Sequence, residues 1–87
     1  MNLLQIADIF GYAAAGIGIV TFLPQIIQSW KTKNTKAISF LTLSLITTGS
    51  ALWIVYGAIM KAVPIFFVNI IIFIFSLFML YLKRKYG

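Results

Sequence analysis

Long apolar runs alternate with brief polar interruptions along the chain. The first run extends from Leu3 to Trp30, the second from Ala37 to Met60 and the third from Val63 to Leu82. Lys31-Thr32-Lys33-Asn34-Thr35-Lys36 separates the first two runs, Lys61 separates the second pair, and Lys83-Arg84-Lys85 follows the third. Each run is long enough to supply the ~20 mostly apolar residues of a membrane-crossing helix. The pattern predicts an all-α membrane protein, a bundle of three transmembrane helices over about 3–30, 37–60 and 63–82, forming a single domain over residues 1–87. Pro64 falls at the start of the third run, where its missing N–H has no intrahelical partner to lose. The first run does not read as a signal peptide. It lacks a basic n-region, Asp8 interrupts its start, and it is too long for an h-region.

Composition sharpens this reading. Of the 87 residues, 62% are hydrophobic and 9% are charged, against roughly 25% charged in ordinary soluble domains. A soluble fold this small has too little interior to hide that much apolar surface. Cysteine and histidine are absent and Asp8 is the single acid. No disulfide framework, metal cage, paired-carboxylate site or catalytic triad can be assembled from the remainder. The reading is therefore of a non-enzyme without cofactor or metal.

The net charge of +6 follows the topology and does not indicate a nucleic-acid partner. Lys31, Lys33 and Lys36 lie in the first loop, and Lys83, Arg84 and Lys85 after the third helix. With three spans both segments fall on one side. Lys61 alone shares the opposite side with Asp8 and the N-terminus. The positive-inside rule then places the C-terminus in the cytoplasm, the N-terminus outside, and the chain in the cytoplasmic membrane. Trp30 and Tyr81, near the inner ends of helices one and three, read as interfacial anchors. Three helices enclose no solute path of useful width. Any path must run between subunits, and a parallel homodimer with its axis along the membrane normal is the simplest arrangement.

Several residues break the apolar pattern. Gly11 and Ala15, and Ala14 and Gly18, are four apart on helix one, a spacing that lets helices approach closely in lipid. Pro24 interrupts the same helix, removing one backbone donor and crowding the carbonyl of Val20. Thr21 is a candidate to satisfy part of the freed backbone. Pro24 reads equally as a static kink or as a hinge. Gly49, Trp53 and Tyr56 share a stripe of helix two. Trp53 lies ~10 Å below the outer boundary and Asn69 of helix three ~9 Å below it. A carboxamide at such depth faces the bundle interior or a wet cavity. Two readings of the pair stand: interhelical glue with a bulky packing residue, or a sugar site. In the second, the indole covers a pyranose C–H face and the amide bonds adjacent hydroxyls. The lack of a deep carboxylate argues against proton coupling.

Motifs along the chain carry a resemblance. Phe22-Leu23-Pro24-Gln25 is followed by Lys31-Thr32-Lys33-Asn34-Thr35-Lys36-Ala37-Ile38-Ser39, then Leu52-Trp53-Ile54-Val55-Tyr56-Gly57, then Pro64-Ile65 and Asn69. In that order and spacing the chain resembles the bacterial SemiSWEET sugar transporters of the PQ-loop superfamily, over nearly its full length. The resemblance implies a parallel homodimer of triple-helix bundles that passes mono- or disaccharides by facilitated diffusion and alternating access. It implies a sugar pocket on the dimer axis lined by Trp53 and Asn69. It also implies a hinge at Pro24 and Gln25, an outer gate containing Tyr56, and Phe22 near the pocket and inner half. The family's outer-gate Arg and Asp are replaced by Met60 and Ala62, leaving closure to Tyr56 and apolar contacts, with Lys61 and Asp8 as further candidates. Two alternatives remain at this point. One is a PQ-loop carrier of another small solute such as an amino acid. The other is a non-transporting or pore-forming membrane protein.

Overall fold

A computed structural model describes residues 1–36 and 38–87. It contains three helices, α1 (Leu3–Thr32), α2 (Phe40–Ile59) and α3 (Val63–Tyr86). All three are long and apolar enough to cross a membrane. The architecture is all-α, as the hydrophobic pattern predicts.

Local chemistry sets the helix ends. Asn2 caps α1 through a capping box: the Gln5 N–H donates to Asn2 Oδ1 at 2.8 Å, and the Asn2 N–H donates to Gln5 Oε1 at 3.1 Å. These bonds satisfy donors that the first helical turn leaves open. Helix α1 runs to Thr32, two residues beyond the expected Trp30, and Lys33, with φ 57°, ends it in the left-handed region. Ser39 caps α2, accepting from the Thr42 N–H at 3.0 Å, so α2 starts at Phe40. The expected start at Ala37 lies outside the described residues. At the other end of α2, Lys61 adopts φ 55° and the Ala62 N–H donates to the Gly57 carbonyl at 2.9 Å. This bond and the left-handed residue form the tight C-terminal stop of a Schellman-type turn. Helix α3 then continues through Lys83, Arg84 and Lys85 to Tyr86, beyond the expected Leu82. Cations suit the negative end of the helix dipole, so the charged run extends the helix.

Pro24 lies inside α1. The Thr21 hydroxyl donates to the Ile17 carbonyl at 2.7 Å, one turn before Pro24, and not to the freed carbonyl of Val20. The expected compensation therefore does not form, because a helical threonine reaches the carbonyl four residues behind it.

Helix α3 is the centre of the bundle. It packs closely on α2 and more lightly on α1, while the backbones of α1 and α2 stay apart. Four contacts hold it. Gly11 approaches Pro64 so closely that a Cβ there would stand 2.8 Å from the proline ring. Gly57 lies against the Phe66 backbone, with an equivalent distance of 2.9 Å. The Thr47 hydroxyl donates to Ser76 Oγ at 2.9 Å. Lys83 Nζ donates to the Thr35 carbonyl at 2.7 Å, tying the first loop to the end of α3. Leu43, Met79 and Leu82 form the small buried core, with Ile26, Ile38 and Leu80 against it. Trp30, expected only as an anchor, also braces α1 by meeting Phe78 edge to face at 6.4 Å.

Gly16 and Gly18 make no such close approach within the chain. A Cβ on Gly16 or Gly18 would meet nothing within 4 Å. Helix α1 has no buried residue at all. The Cα trace measures 48 × 23 × 14 Å. With side chains a helix is ~10–12 Å across, so the bundle is a slab too thin to surround a solute.

Candidate functional site

The basic residues of the first loop and of the α3 terminus share one end of the slab, joined by the Lys83–Thr35 bond. Lys33 Nζ also lies 5.4 Å from the Tyr86 ring centre. The α2–α3 turn marks the opposite, hairpin end. In the basic half a groove of about 710 Å³ opens between α1 and α2, with α3 as its floor. Phe22, Pro24 and Gln25 of α1 line it, as do Leu43 and Ile46 of α2 and Ile72 and Ser76 of α3. No charged side chain lines it among the described residues. Three residues singled out from sequence (Phe22, Pro24, Gln25) thus share one cavity wall.

Trp53, Asn69 and Tyr56 do not line that groove. Helix periodicity relates the first two to it. Seven residues make almost two full turns, so Trp53 stands on the α2 face that carries Ile46, and Asn69 stands on the α3 face that carries Ser76. Both therefore lie on the continuation of groove walls toward the hairpin end.

The interhelical contacts also give their depths. Trp53 is six residues from Thr47, and Asn69 is seven residues from Ser76, each toward the hairpin end. From the Thr47–Ser76 bond these separations are ~9 Å and ~10 Å along antiparallel helices. Measured instead from the Gly57–Phe66 contact, the two residues lie ~6 Å and ~4.5 Å toward the basic end. Two independent contacts therefore put the indole and the carboxamide at one level within ~1.5 Å.

Neither side chain is sealed by its own chain. Trp53 is 50% exposed and Tyr56 47% exposed, and their rings meet edge to face at 5.2 Å. That contact fixes the indole plane against its own helix. Asn69 is half-buried, and its Nδ2 donates to the Ile65 carbonyl at 2.8 Å. One amide N–H is thereby used, which orients the group and leaves Oδ1 and the second N–H for a ligand. The sequence reading did not single out Thr47 and Ser76 as the contact that sets the two helices in register. Their polar side chains within apolar runs were the available signal.

The fold and this face correspond to known proteins. The PQ loop repeat family matches residues 6–66, more than half of the chain. A sugar transporter SemiSWEET of Leptospira biflexa serovar Patoc is 35% identical over 80 residues, covering 92% of this chain and 94% of that protein. A sugar transporter SemiSWEET of Bradyrhizobium diazoefficiens is 30% identical over 79 residues, covering 91% and 92%. Among solved structures, a bacterial homologue of SWEET transporters superposes with a TM-score of 0.86 at 27% identity. That match covers 94% of this chain and 99% of that one. Three apolar helices with α3 between the other two, carrying the Pro-Gln motif on the first, define a PQ-loop membrane protein. The chain belongs to the SemiSWEET family of that class. The two SemiSWEET relatives are sugar transporters, and this chain is not an enzyme.

Proposed function

We propose that this protein passes a small neutral sugar, a mono- or disaccharide, passively across the cytoplasmic membrane as a parallel homodimer. The observation that carries this reading is the half-exposed Trp53 at the level of Asn69, on a slab too thin to surround a solute alone. The 87 residues act as one transmembrane domain, and two copies facing each other supply two indoles and two carboxamides to one ring. Each indole covers a C–H face, and each amide bonds ring hydroxyls through the groups its Ile65 bond leaves open. The uncharged groove favours a neutral sugar over an amino acid, whose ammonium and carboxylate would lose their hydration without partners.

Alternating access follows from the unequal packing of the helices. α2 and α3 move as one hairpin, held by the Gly57 contact and the Thr47–Ser76 bond. α1 has no buried residue, and its ladder is weakened at Pro24. The segment from Gln25 to Thr32 swings about Pro24 and opens or closes the basic side, with Phe22 beside the path. Tyr56 closes the hairpin side with apolar neighbours. The basic end faces the cytoplasm, a reading that the distribution of lysine and arginine supports.

Counterflow in proteoliposomes with labelled sugars and labelled amino acids tests this reading. Saturable, stereoselective sugar exchange is expected, with Trp53→Ala and Asn69→Ala each lowering it at least tenfold while crosslinking still yields dimers. Exchange of amino acids only would transfer the site to another solute. Non-saturating leakage of unrelated solutes would identify a pore. Unchanged exchange in both variants would remove the pocket.

A further inference from the structure

We propose that the C-terminal end of α3 is a clasp on the first loop, one that must release before residues 25–32 of α1 can close the basic side. While made, it keeps that segment beside α3 and leaves the basic half of the groove open. The need for release rests on the transport reading. The clasp itself rests on contacts within the chain.

Three contacts make the grip. The half-buried Lys83 donates from Nζ to the Thr35 carbonyl at 2.7 Å. Thr35 is 3% exposed, and a Cβ on Gly87 would collide with its Oγ1, so only a glycine at 87 leaves the threonine its place. Lys33 Nζ lies 5.4 Å from the Tyr86 ring centre, within the range of cation–π attraction. The Gly87 N–H donates to the Lys83 carbonyl at 2.8 Å, so one helical turn carries all three partners. Deeper in the bundle, the edge-to-face contact of Trp30 with Phe78 holds the same segment of α1 on the same helix.

The clasp sets how far the inner end of α1 can travel. Helix α1 ends at Thr32. With Thr35 held on α3, three residue steps separate that end from a fixed point, a reach of ~10 Å. With Thr35 released, the next held residue is Ile38, packed against the core of Leu43, Met79 and Leu82. It is six steps away, a reach of ~20 Å. Residues 25–32 form an arm ~12 Å long beyond Pro24. The short leash keeps the tip of that arm beside α3, and the long one lets it cross toward α2.

Opposing terms make the grip breakable. Thr35 Oγ1 has no hydrogen-bond partner among the described residues, and a buried hydroxyl without one loses its hydration uncompensated. Release returns it to water at the membrane surface. That gain offsets part of the charge-assisted bond from Lys83, whose ammonium is also rehydrated on release. Helix α1 adds little resistance, because none of its residues is buried.

The chain has no cysteine, so a pair of introduced thiols tests the clasp. Thr35→Cys with Gly87→Cys brings two thiols within disulfide reach. Oxidation is expected to join them within one chain, and alkylation followed by mass measurement counts the thiols left free. Counterflow of labelled glucose and sucrose in proteoliposomes should then fall at least tenfold and recover on reduction. Each single-thiol variant should be indifferent to the oxidant. Unchanged exchange in the fully oxidised pair would overturn the clasp and leave the transport reading standing. Thiols that fail to join would overturn it too, since Thr35 and Gly87 would then not meet. A second measurement needs no transport. Spin labels at Lys31→Cys and Leu41→Cys, in labelled chain diluted with unlabelled chain, report the distance from the end of α1 to the start of α2. Lys83→Met combined with Gly87→Ala should add a second distance at least 5 Å from the first, and Lys83→Arg alone should keep the single one. A distance unmoved by the Lys83 and Gly87 changes would overturn the clasp. Absence of saturable sugar flux in every form would end the transport reading, and the distance measurement would then decide the clasp by itself.

Discussion

Gly57→Ala should damage this protein out of proportion to the one methyl it adds. The new Cβ would stand 2.9 Å from the Phe66 nitrogen, 3.0 Å from its Cα and 3.1 Å from its Cβ. Two of these are backbone atoms within α3, so no side chain can rotate away. Reaching the 3.4 Å of ordinary contact needs a separation of about 0.5 Å, which the Ala62–Gly57 hydrogen bond and the tight turn at Lys61 resist. Overpacking of this kind costs ~1–3 kcal/mol, a factor of about 5 to 150 in the folding equilibrium. The strain falls beside the candidate site, because Trp53 is one turn from Gly57 and Asn69 one turn from Phe66. Unfolding titration in mixed micelles reads the first effect, and sugar counterflow reads the second. Gly16→Ala is the control: nothing lies within 4 Å of its Cβ, and replacing a helical glycine gains ~0.5–1 kcal/mol. Equal stability for Gly57→Ala and Gly16→Ala would refute the close approach of α2 and α3 that places Trp53 and Asn69 at one level.

Other outcomes follow from the same geometry. Pro24→Ala restores a backbone donor to the Val20 carbonyl and stiffens α1, so counterflow should slow several-fold while sugar affinity stays within about twofold. Lys61→Gly relieves a non-glycine residue in the left-handed region and should stabilise the turn by ~0.5–1 kcal/mol, measured by the same unfolding titration. An imposed proton gradient should leave sugar flux unchanged in liposomes, since no acid other than Asp8 exists and none lies at the Trp53–Asn69 level. Accumulation driven by that gradient would contradict passive passage.

Much of the architecture is legible in residue order. Three runs of sufficient length, separated by lysine-rich breaks, specify three helices because the bilayer demands ~20 apolar residues per crossing. Helix ends are less legible. Trp30, Ala37 and Leu82 mark where hydrophobicity changes, whereas Lys33, Ser39 and Tyr86 mark where hydrogen bonding ends or begins. Caps and dipoles act on the backbone, and a hydropathy pattern does not record them. Asn69 and Trp53 stand out because polarity and bulk at depth require an explanation. The groove wall and the held loop do not stand out, since Gln28, Ser29 and Thr35 sit in or near a polar stretch where such residues are ordinary.

The sequence by itself determined the solvent, the number of crossings, the bias of charge to one end and the family, all consequences of composition, spacing and motif. Tertiary structure decided that α3 lies between α1 and α2, that Gly11 and Gly57 rather than Gly16 and Gly18 carry the close approaches within the chain, and that Thr47 and Ser76 hold two helices in register. These depend on which faces meet across the bundle. In lipid, apolar faces alone do not distinguish one meeting from another, so close packing and a few polar contacts make the choice.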